Sequence, residues 1–302
     1  MPELPEVETT VLGLKKEVIG LRILDIWTDL RTKDKRKIDT ISNQKYFLFF
    51  KKEVINKKIL SVERRAKNIL INLSKNKTIL IHMKMTGHLL YGKYNFTEKE
   101  DKWEPPHNGP LKDPYNRFIH VIFSLSNKKH LAFSDSRKFG KITLLSTNKA
   151  YNTKHLKNLG PEPLDKNFNL KNFKERLLKK KNGKIKTVLM DQSIIAGIGN
   201  IYSDEILWRA GIHPERKIGK IKKNEFEKIF KAMKKLLEKG INFGGDSMSD
   251  YRNIYGLSGE FQQHHMAYKR KDEKCKKKNC SGVIIRKIIN NRSAHFCSKH
   301  QK

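Results

Sequence analysis

Acidic residues are scarce in this chain. Its 302 residues include 65 Lys and Arg but only 31 Asp and Glu, for a formal charge of +34 and a pI near 10.0. That excess asks for a polyanionic partner, either nucleic acid or an anionic membrane surface. Long apolar runs are also missing. The longest purely apolar run is Tyr46-Phe47-Leu48-Phe49-Phe50, far below the ~20 residues of a spanning helix. No signal-peptide pattern opens the chain, so a membrane partner is set aside and a cytoplasmic location is expected. Lys, Ile and Asn are abundant together, so part of the basic excess is compositional bias. Cysteine is rarer still: Cys275, Cys280 and Cys297, all in the last tenth of the chain. An odd count confined to one segment excludes a disulfide framework and points to a metal site. There is no internal repeat.

The chain is long enough for two domains. Residues 6–19 place Val7, Val11, Leu14 and Val18 at helical spacing, with Gly20 as a stop. From 21 to 147 short strands are expected at 21–27, 46–51, 68–73, 78–85, 118–125, 130–134 and 141–145. The stretch 92–117 interrupts them with two glycines and four prolines and reads as a long surface loop. After 150 the pattern turns helical. Residues 168–181 fit an amphipathic helix, and Asn224–Lys239 is the clearest helix of all. Asn224 and Glu227 form a capping-box-like start there, and Gly240 a stop. Residues 244–263 are glycine-rich and polar, as in a mobile loop. The boundary is expected near Gly160-Pro161-Glu162-Pro163.

The N-terminus, Met1-Pro2-Glu3-Leu4-Pro5-Glu6-Val7-Glu8, carries chemistry. Removal of Met1 would expose a secondary amine with a pKa of about 8, against ~10.4 for a lysine, so it is a nucleophile near neutral pH. Glu3 beside it can shuttle protons. The same residues also suit a helix start, with Pro5 in the first turn and acids at the dipole's positive end. Lys67, in Arg64-Arg65-Ala66-Lys67-Asn68, has the parity of Ile69, Ile71 and Leu73 if the strand begins there, and would then need an anionic partner. Gly197 and Gly199 permit a tight turn, after which Asn200 can cap a helix whose free N–H groups favour a phosphate. Cys275-x4-Cys280-x16-Cys297-x2-His300 offers three thiolates and an imidazole to a tetrahedral structural zinc ion, with His295 a competing fourth ligand. Residues 283–289 and 293–297 read as a hairpin around Asn290-Asn291, with Arg292 at the tip.

The N-terminal octet, the Arg64–Ile71 block, His82–Gly87, Asp135–Gly140, Leu189–Trp208 and the terminal finger together resemble the formamidopyrimidine-DNA glycosylases, base-excision enzymes that remove oxidised purines. The Leu4-Pro5 pair is closer to that branch than to the endonuclease VIII branch. The resemblance implies an α+β fold: an N-terminal β-sandwich with a leading helix (1–150), a helical domain with a helix-two-turns-helix element (151–265), and a β-hairpin zinc finger (266–302). It implies damaged double-stranded DNA as partner, one structural zinc ion, and action as a monomer.

The residue roles it implies are specific. Pro2 forms a Schiff base at C1′ and Glu3 is its acid, with Lys67 and Arg292 assisting glycosylase and lyase steps. Met85, Arg137 and Phe139 fill the void left by an everted base, work that needs both apolar and hydrogen-bonding groups. Without the resemblance, Met85 and Phe139 would be placed in the core. Lys186, Asn200 and His120 contact DNA. Two departures stand out: the first zinc knuckle is longer than the usual Cys-x2-Cys and its fourth ligand is His, and Phe118 replaces a histidine. The 92–117 loop is longer than the resemblance leads one to expect.

Overall fold

The computed structural model describes residues 1–32 and 38–302. Two compact units divide the chain: Met1–Lys157 with Gly244–Glu260, and Asn158–Phe243 with Phe261–Lys302.

The first unit is a sandwich. Strands β1 (Ile23–Thr28), β8 (Ile119–Leu125), β9 (His130–Ser134) and β5 (His88–Gly92) form one antiparallel sheet in that order. Strands β10 (Lys141–Ser146), β4 (Lys77–His82), β3 (Asn68–Leu73) and β2 (Ile59–Arg65) form the other. Alternation decides which side chains face inward. Ile69, Ile71 and Leu73 of β3, Ile79 and Ile81 of β4, and Val121, Phe123 and Leu125 of β8 share one core. The leading helix α1 (Leu4–Glu17) adds Val7, Val11 and Leu14 to it. A small ribbon, β6 (Asn95–Thr97) with β7 (Lys102–Glu104), lies inside the expected 92–117 loop.

One expected strand is a helix. Residues 46–51 fall within α2 (Gln44–Val54), which starts at Asn43, whose side chain accepts the Tyr46 N–H at 3.0 Å. A contiguous apolar run carries no period, so its aromatic content suggested a strand. The helix buries Phe50 and Val54 while Leu48 and Phe49 stay exposed.

The second unit holds α4 (Leu170–Leu178), α5 (Ile185–Leu189), α6 (Asn200–Ala210), α7 (Lys223–Asn242) and the hairpin β11 (Ile284–Ile289) and β12 (Arg292–Cys297). A short helix, α3 (Lys154–Lys157), closes the first unit's main stretch. Helix α7 begins two residues ahead of the expected Asn224 cap: Glu225 accepts the Lys222 N–H at 2.7 Å, and Glu227 instead pairs with Lys231. Gly240 does not end it: that glycine is buried in the packed face, and the helix runs on to Asn242. Among the described residues no helix is long and apolar enough to cross a membrane.

Phe123 is buried and meets the ring of Phe50 edge-on at 6.4 Å. Phe123→Ala should cost about 3–5 kcal/mol, read as a lower urea midpoint at unchanged slope.

Candidate active site and metal centre

Pro2 and Glu3 are buried where α1 begins. The reason is the capping chemistry of the octet. Glu3 is the N-cap and Pro5 lies in the first turn. Glu6 reaches back, accepting the Glu3 N–H on Oε2 at 2.7 Å. Its other oxygen accepts the Asp246 N–H at 2.7 Å. Burial first, then the Glu3 charge, push the Glu6 carboxyl up to about 7, against the pull of those two N–H groups. The helix start and the chemical site are thus the same residues.

Helix α1 is fixed to β2 by Glu8 Oε2, 2.5 Å from Arg64 Nε. Three residues on is Lys67. It stands just ahead of β3, which begins at Asn68: Arg65 pairs with Asn68, so Ala66 and Lys67 form a two-residue turn, with Ala66 at φ 54°. Lys67 is nevertheless only 6% exposed. Next to it, Asn68 Oδ1 lies 2.8 Å from His155 Nε2 in a cavity of about 580 Å³ that His82 and Lys84 also line. Burial, followed by the Lys84 charge, takes His82 down to about 3, so that imidazole is neutral.

Met85 and Phe139, which ordinary burial preference would put inside, are 41% and 44% exposed. Arg137 sits over the Phe139 ring, 4.7 Å from its centroid. The two loops are joined by Asp135, which accepts from the Thr86 hydroxyl and from Gly140 N–H at 2.7 Å. Three residues expected to act together are therefore presented on linked loops. His120 is committed elsewhere: its Nδ1 is 2.9 Å from both oxygens of Asp29.

In the second unit the organising groups are two neighbouring carboxylates that sequence reasoning passed over. Asp204 takes Lys186 Nζ at 2.5 Å on one oxygen and the His295 N–H at 2.9 Å on the other. Lys186 is therefore fully buried rather than displayed to a phosphate. Glu205 accepts three successive backbone N–H groups, of Met266, Ala267 and Tyr268, at 2.8–2.9 Å. Their position just after the Gly-x-Gly turn, as the two acids of α6, was the available signal. Gly197 has φ 90° in that turn. Gly199, not Asn200, is the N-cap. Asn200 is the first helical residue and donates to Ser293 Oγ at 3.3 Å, next to Arg292. Asn290 and Asn291, at φ 46° and 59°, make the tight turn before Arg292, which is exposed at the start of β12.

Cys275, Cys280, Cys297 and His300 place their ligand atoms within 4.8 Å of one another. His295 is excluded from this group by its Nδ1, 3.1 Å from Asp204. The donor set fits a metal ion. His300 Nε2 donates to the Trp208 carbonyl at 2.9 Å, which turns Nδ1 toward Cys275 Sγ at 3.3 Å. Each sulfur accepts a backbone N–H two residues on, at 3.4–3.5 Å, as suits a thiolate.

Residues 1–142 match the formamidopyrimidine-DNA glycosylase N-terminal domain, and residues 159–252 match the formamidopyrimidine-DNA glycosylase H2TH domain. The formamidopyrimidine-DNA glycosylase of Herpetosiphon aurantiacus is 38% identical over 300 residues, covering 98% of both chains. The chain belongs to the formamidopyrimidine-DNA glycosylase family. Two similar solved structures are complexes of Lactococcus lactis Fpg. One, with DNA containing N7-benzyl-Fapy-dG, has a TM-score of 0.81 at 29% identity, covering 100% of each chain. The other, with DNA containing an oxidised pyrimidine, has a TM-score of 0.81 at 28% identity, again covering 100% of each. Family membership makes the chain a DNA glycosylase of base-excision repair whose partner is damaged double-stranded DNA.

Two measurements check this geometry. Asp204→Ala strands the buried Lys186 ammonium and should cost about 3–5 kcal/mol, seen in chemical denaturation. Carbon-13 NMR should place the Glu6 carboxyl midpoint near 7. The raised value favours the protonated form in the fold, so this group's contribution to stability is complete below the ordinary carboxylate range and is lost as pH rises through about 7. A midpoint below 5 would contradict the buried placement.

Proposed function

We propose that this glycosylase excises oxidised purines, 8-oxoguanine and formamidopyrimidines, through a Schiff base on Pro2 and then nicks the strand by β,δ-elimination. The observation that carries the reading is the placement of Pro2 and Glu3, buried at the start of α1 with the Glu3 backbone held by Glu6. Holding a nucleophile and an acid in one geometry lowers the barrier by orientation. Once Met1 is removed, the Pro2 nitrogen bonds to C1′ as the glycosidic bond breaks, and the base leaves with a proton. Glu3 protonates the ring oxygen; the ring opens and an iminium joins nitrogen to C1′. That electron sink allows loss of a C2′ proton with departure of the 3′ phosphate, and then loss of a C4′ proton with departure of the 5′ phosphate. Lys67 and Arg292 assist these proton transfers and hold phosphate. Met85, Phe139 and Arg137 occupy the gap left by the everted base. Asn200 contacts the DNA backbone from the start of α6. Lys186 supports that contact from beneath, its ammonium 3.5 Å from the Asn200 carbonyl, and His120 serves DNA from the start of β8.

The division of labour follows the sequence with one exchange: catalysis in the first unit, where 244–260 leaves the expected 151–265 domain to join the N-terminal stretch, helical DNA binding in 158–243, and a zinc finger in 266–302. Cys275, Cys280, Cys297 and His300 would hold one Zn2+ ion, which supplies a structural cross-link and no chemistry of its own. The enzyme acts as a monomer in the cytoplasm. A second reading, preference for oxidised pyrimidines as in the endonuclease VIII branch, is favoured by the L. lactis complex with such a lesion.

Borohydride trapping on an 8-oxoguanine:cytosine duplex should give a covalent adduct mapped to Pro2. Pro2→Gly, Glu3→Gln and Lys67→Ala should abolish cleavage while much of the affinity survives. Efficient trapping on oxidised pyrimidines alone would select the second reading. Tight DNA binding without any adduct, by protein with a mature Pro2 terminus, would leave a catalytically inactive DNA-binding protein. Purified without chelator, the protein should carry about one zinc; less than about half an equivalent would count against the finger.

A further inference from the structure

The stretch 92–117 is built, not loose. Its ribbon β6–β7 sets Trp103 against Trp27 at 6.3 Å, Phe96 at 5.2 Å and His130 at 5.1 Å. Leu111 joins Leu90, Tyr94, Ile122 and Ala132 in a second small core. These residues have the opposite parity to Val121, Phe123 and Leu131 of the main core, so the stretch is seated on the outward face of β1-β8-β9-β5.

From that base it reaches the 244–260 segment at three points. Arg252 Nε donates to Asp113 Oδ2 at 3.1 Å, and its guanidinium lies 4.5 Å from the centroid of the Tyr115 ring. Asn116 donates to the Pro110 and Gly256 carbonyls at 2.8 and 3.3 Å, with its own Oδ1 2.9 Å from His88 Nε2. Gly256, at φ 82°, comes so near that a Cβ would sit 2.5 Å from the Pro110 oxygen. Arg252 and Asn116 are both buried, so these bonds are shielded from water. The segment expected to be a mobile loop is thus clasped.

What it is clasped to matters. The far end of the same segment gives the Asp246 N–H to Glu6 Oε1 and the Tyr251 hydroxyl to the Glu6 carbonyl at 2.9 Å. Glu6 Oε2 in turn holds the Glu3 N–H. In between, the Ile254 carbonyl accepts Tyr91 N–H at 2.6 Å. A continuous set of directional bonds therefore runs from the 109–116 turns, through Arg252 and 246–251, to Glu6 and Glu3.

We propose that residues 92–117 are a brace that holds 246–256 in place and, through Glu6, orients Glu3, with Arg252 as the positioning residue. The second half of this inference rests on the role given to Glu3 above; the first half does not. The brace pre-orders the segment before DNA arrives, so less ordering entropy is lost when the reacting groups are used.

The test uses the full-length protein and two substitutions. Asp113→Asn keeps an acceptor for the Tyr115 N–H, which Asp113 Oδ1 takes at 2.9 Å, but removes the charge facing Arg252. Asp113→Glu restores the charge. In Asp113→Asn, amide exchange across 246–256 should quicken roughly tenfold or more, as expected for loss of one charge-assisted hydrogen bond, while 119–134 exchanges as before. The single-turnover excision rate should fall by a similar factor, with affinity for an abasic-analogue duplex unchanged and Asp113→Glu recovering most of the rate. Unchanged exchange across 246–256 would overturn the brace. Faster exchange with an unchanged excision rate would overturn its link to Glu3. Faster exchange throughout the first unit would reduce Asp113 to a general stabiliser and overturn the proposal. Wild-type protein that excises nothing would instead sink the proposed function, with the exchange result still deciding the brace.

Discussion

Like-charge repulsion is the constraint this fold has to overcome. With 65 Lys and Arg against 31 Asp and Glu, basic side chains outnumber the acids that could pair with them. The few acids that are buried therefore carry more of the architecture than their number suggests. Glu6 accepts backbone N–H groups from two distant stretches. Asp135 ties one loop to another, Asp204 neutralises Lys186, and Glu205 gathers three consecutive amides ahead of the cysteine–histidine quartet. In each case a carboxylate is spent on directional bonds inside the protein, leaving the cationic surface for a polyanion.

How much of this was legible depended on whether a residue's role is local. Strand alternation at 68–73 and 118–125, the glycine turn at 197–199 and the hairpin about Asn290-Asn291 are local, and the structure has them. The aromatic run at 46–50 was misread because consecutive apolar residues fit both periods; the helix shows only once Phe50 and Val54 find the sandwich core. The parity of Lys67 with Ile69 would count only if the strand began at that lysine; the positive φ of Ala66 closes a turn there instead. Alanine gives no hint of that conformation.

The site divides in the same way. The choice of His300 over His295 could not be made from spacing, since both stand near Cys297; it is made by Asp204, ninety-one positions away from His295. The burial of Lys186 has the same cause. The helix start at Glu3 was recognisable, but the hold of Glu6 on the Glu3 N–H goes with a bond from Asp246 to Glu6, residues 240 apart in sequence. Nor could exposure of Met85 and Phe139 be read from composition, which argues the other way. Non-local hydrogen bonds, rather than propensities, decide each of these positions.

The three tryptophans are unequally distributed, and that makes the protein its own optical instrument. Trp27 and Trp103 share the aromatic cluster under the β6–β7 ribbon. Trp208 instead stands edge-on to the His300 ring at 5.2 Å, with its carbonyl bonded to the same imidazole. Intrinsic emission therefore has two separable sources, one reporting the packing of the outer-face ribbon and the other the state of the cysteine–histidine quartet. Replacing Trp208 with phenylalanine silences the second, and the difference spectrum isolates the finger without an added dye.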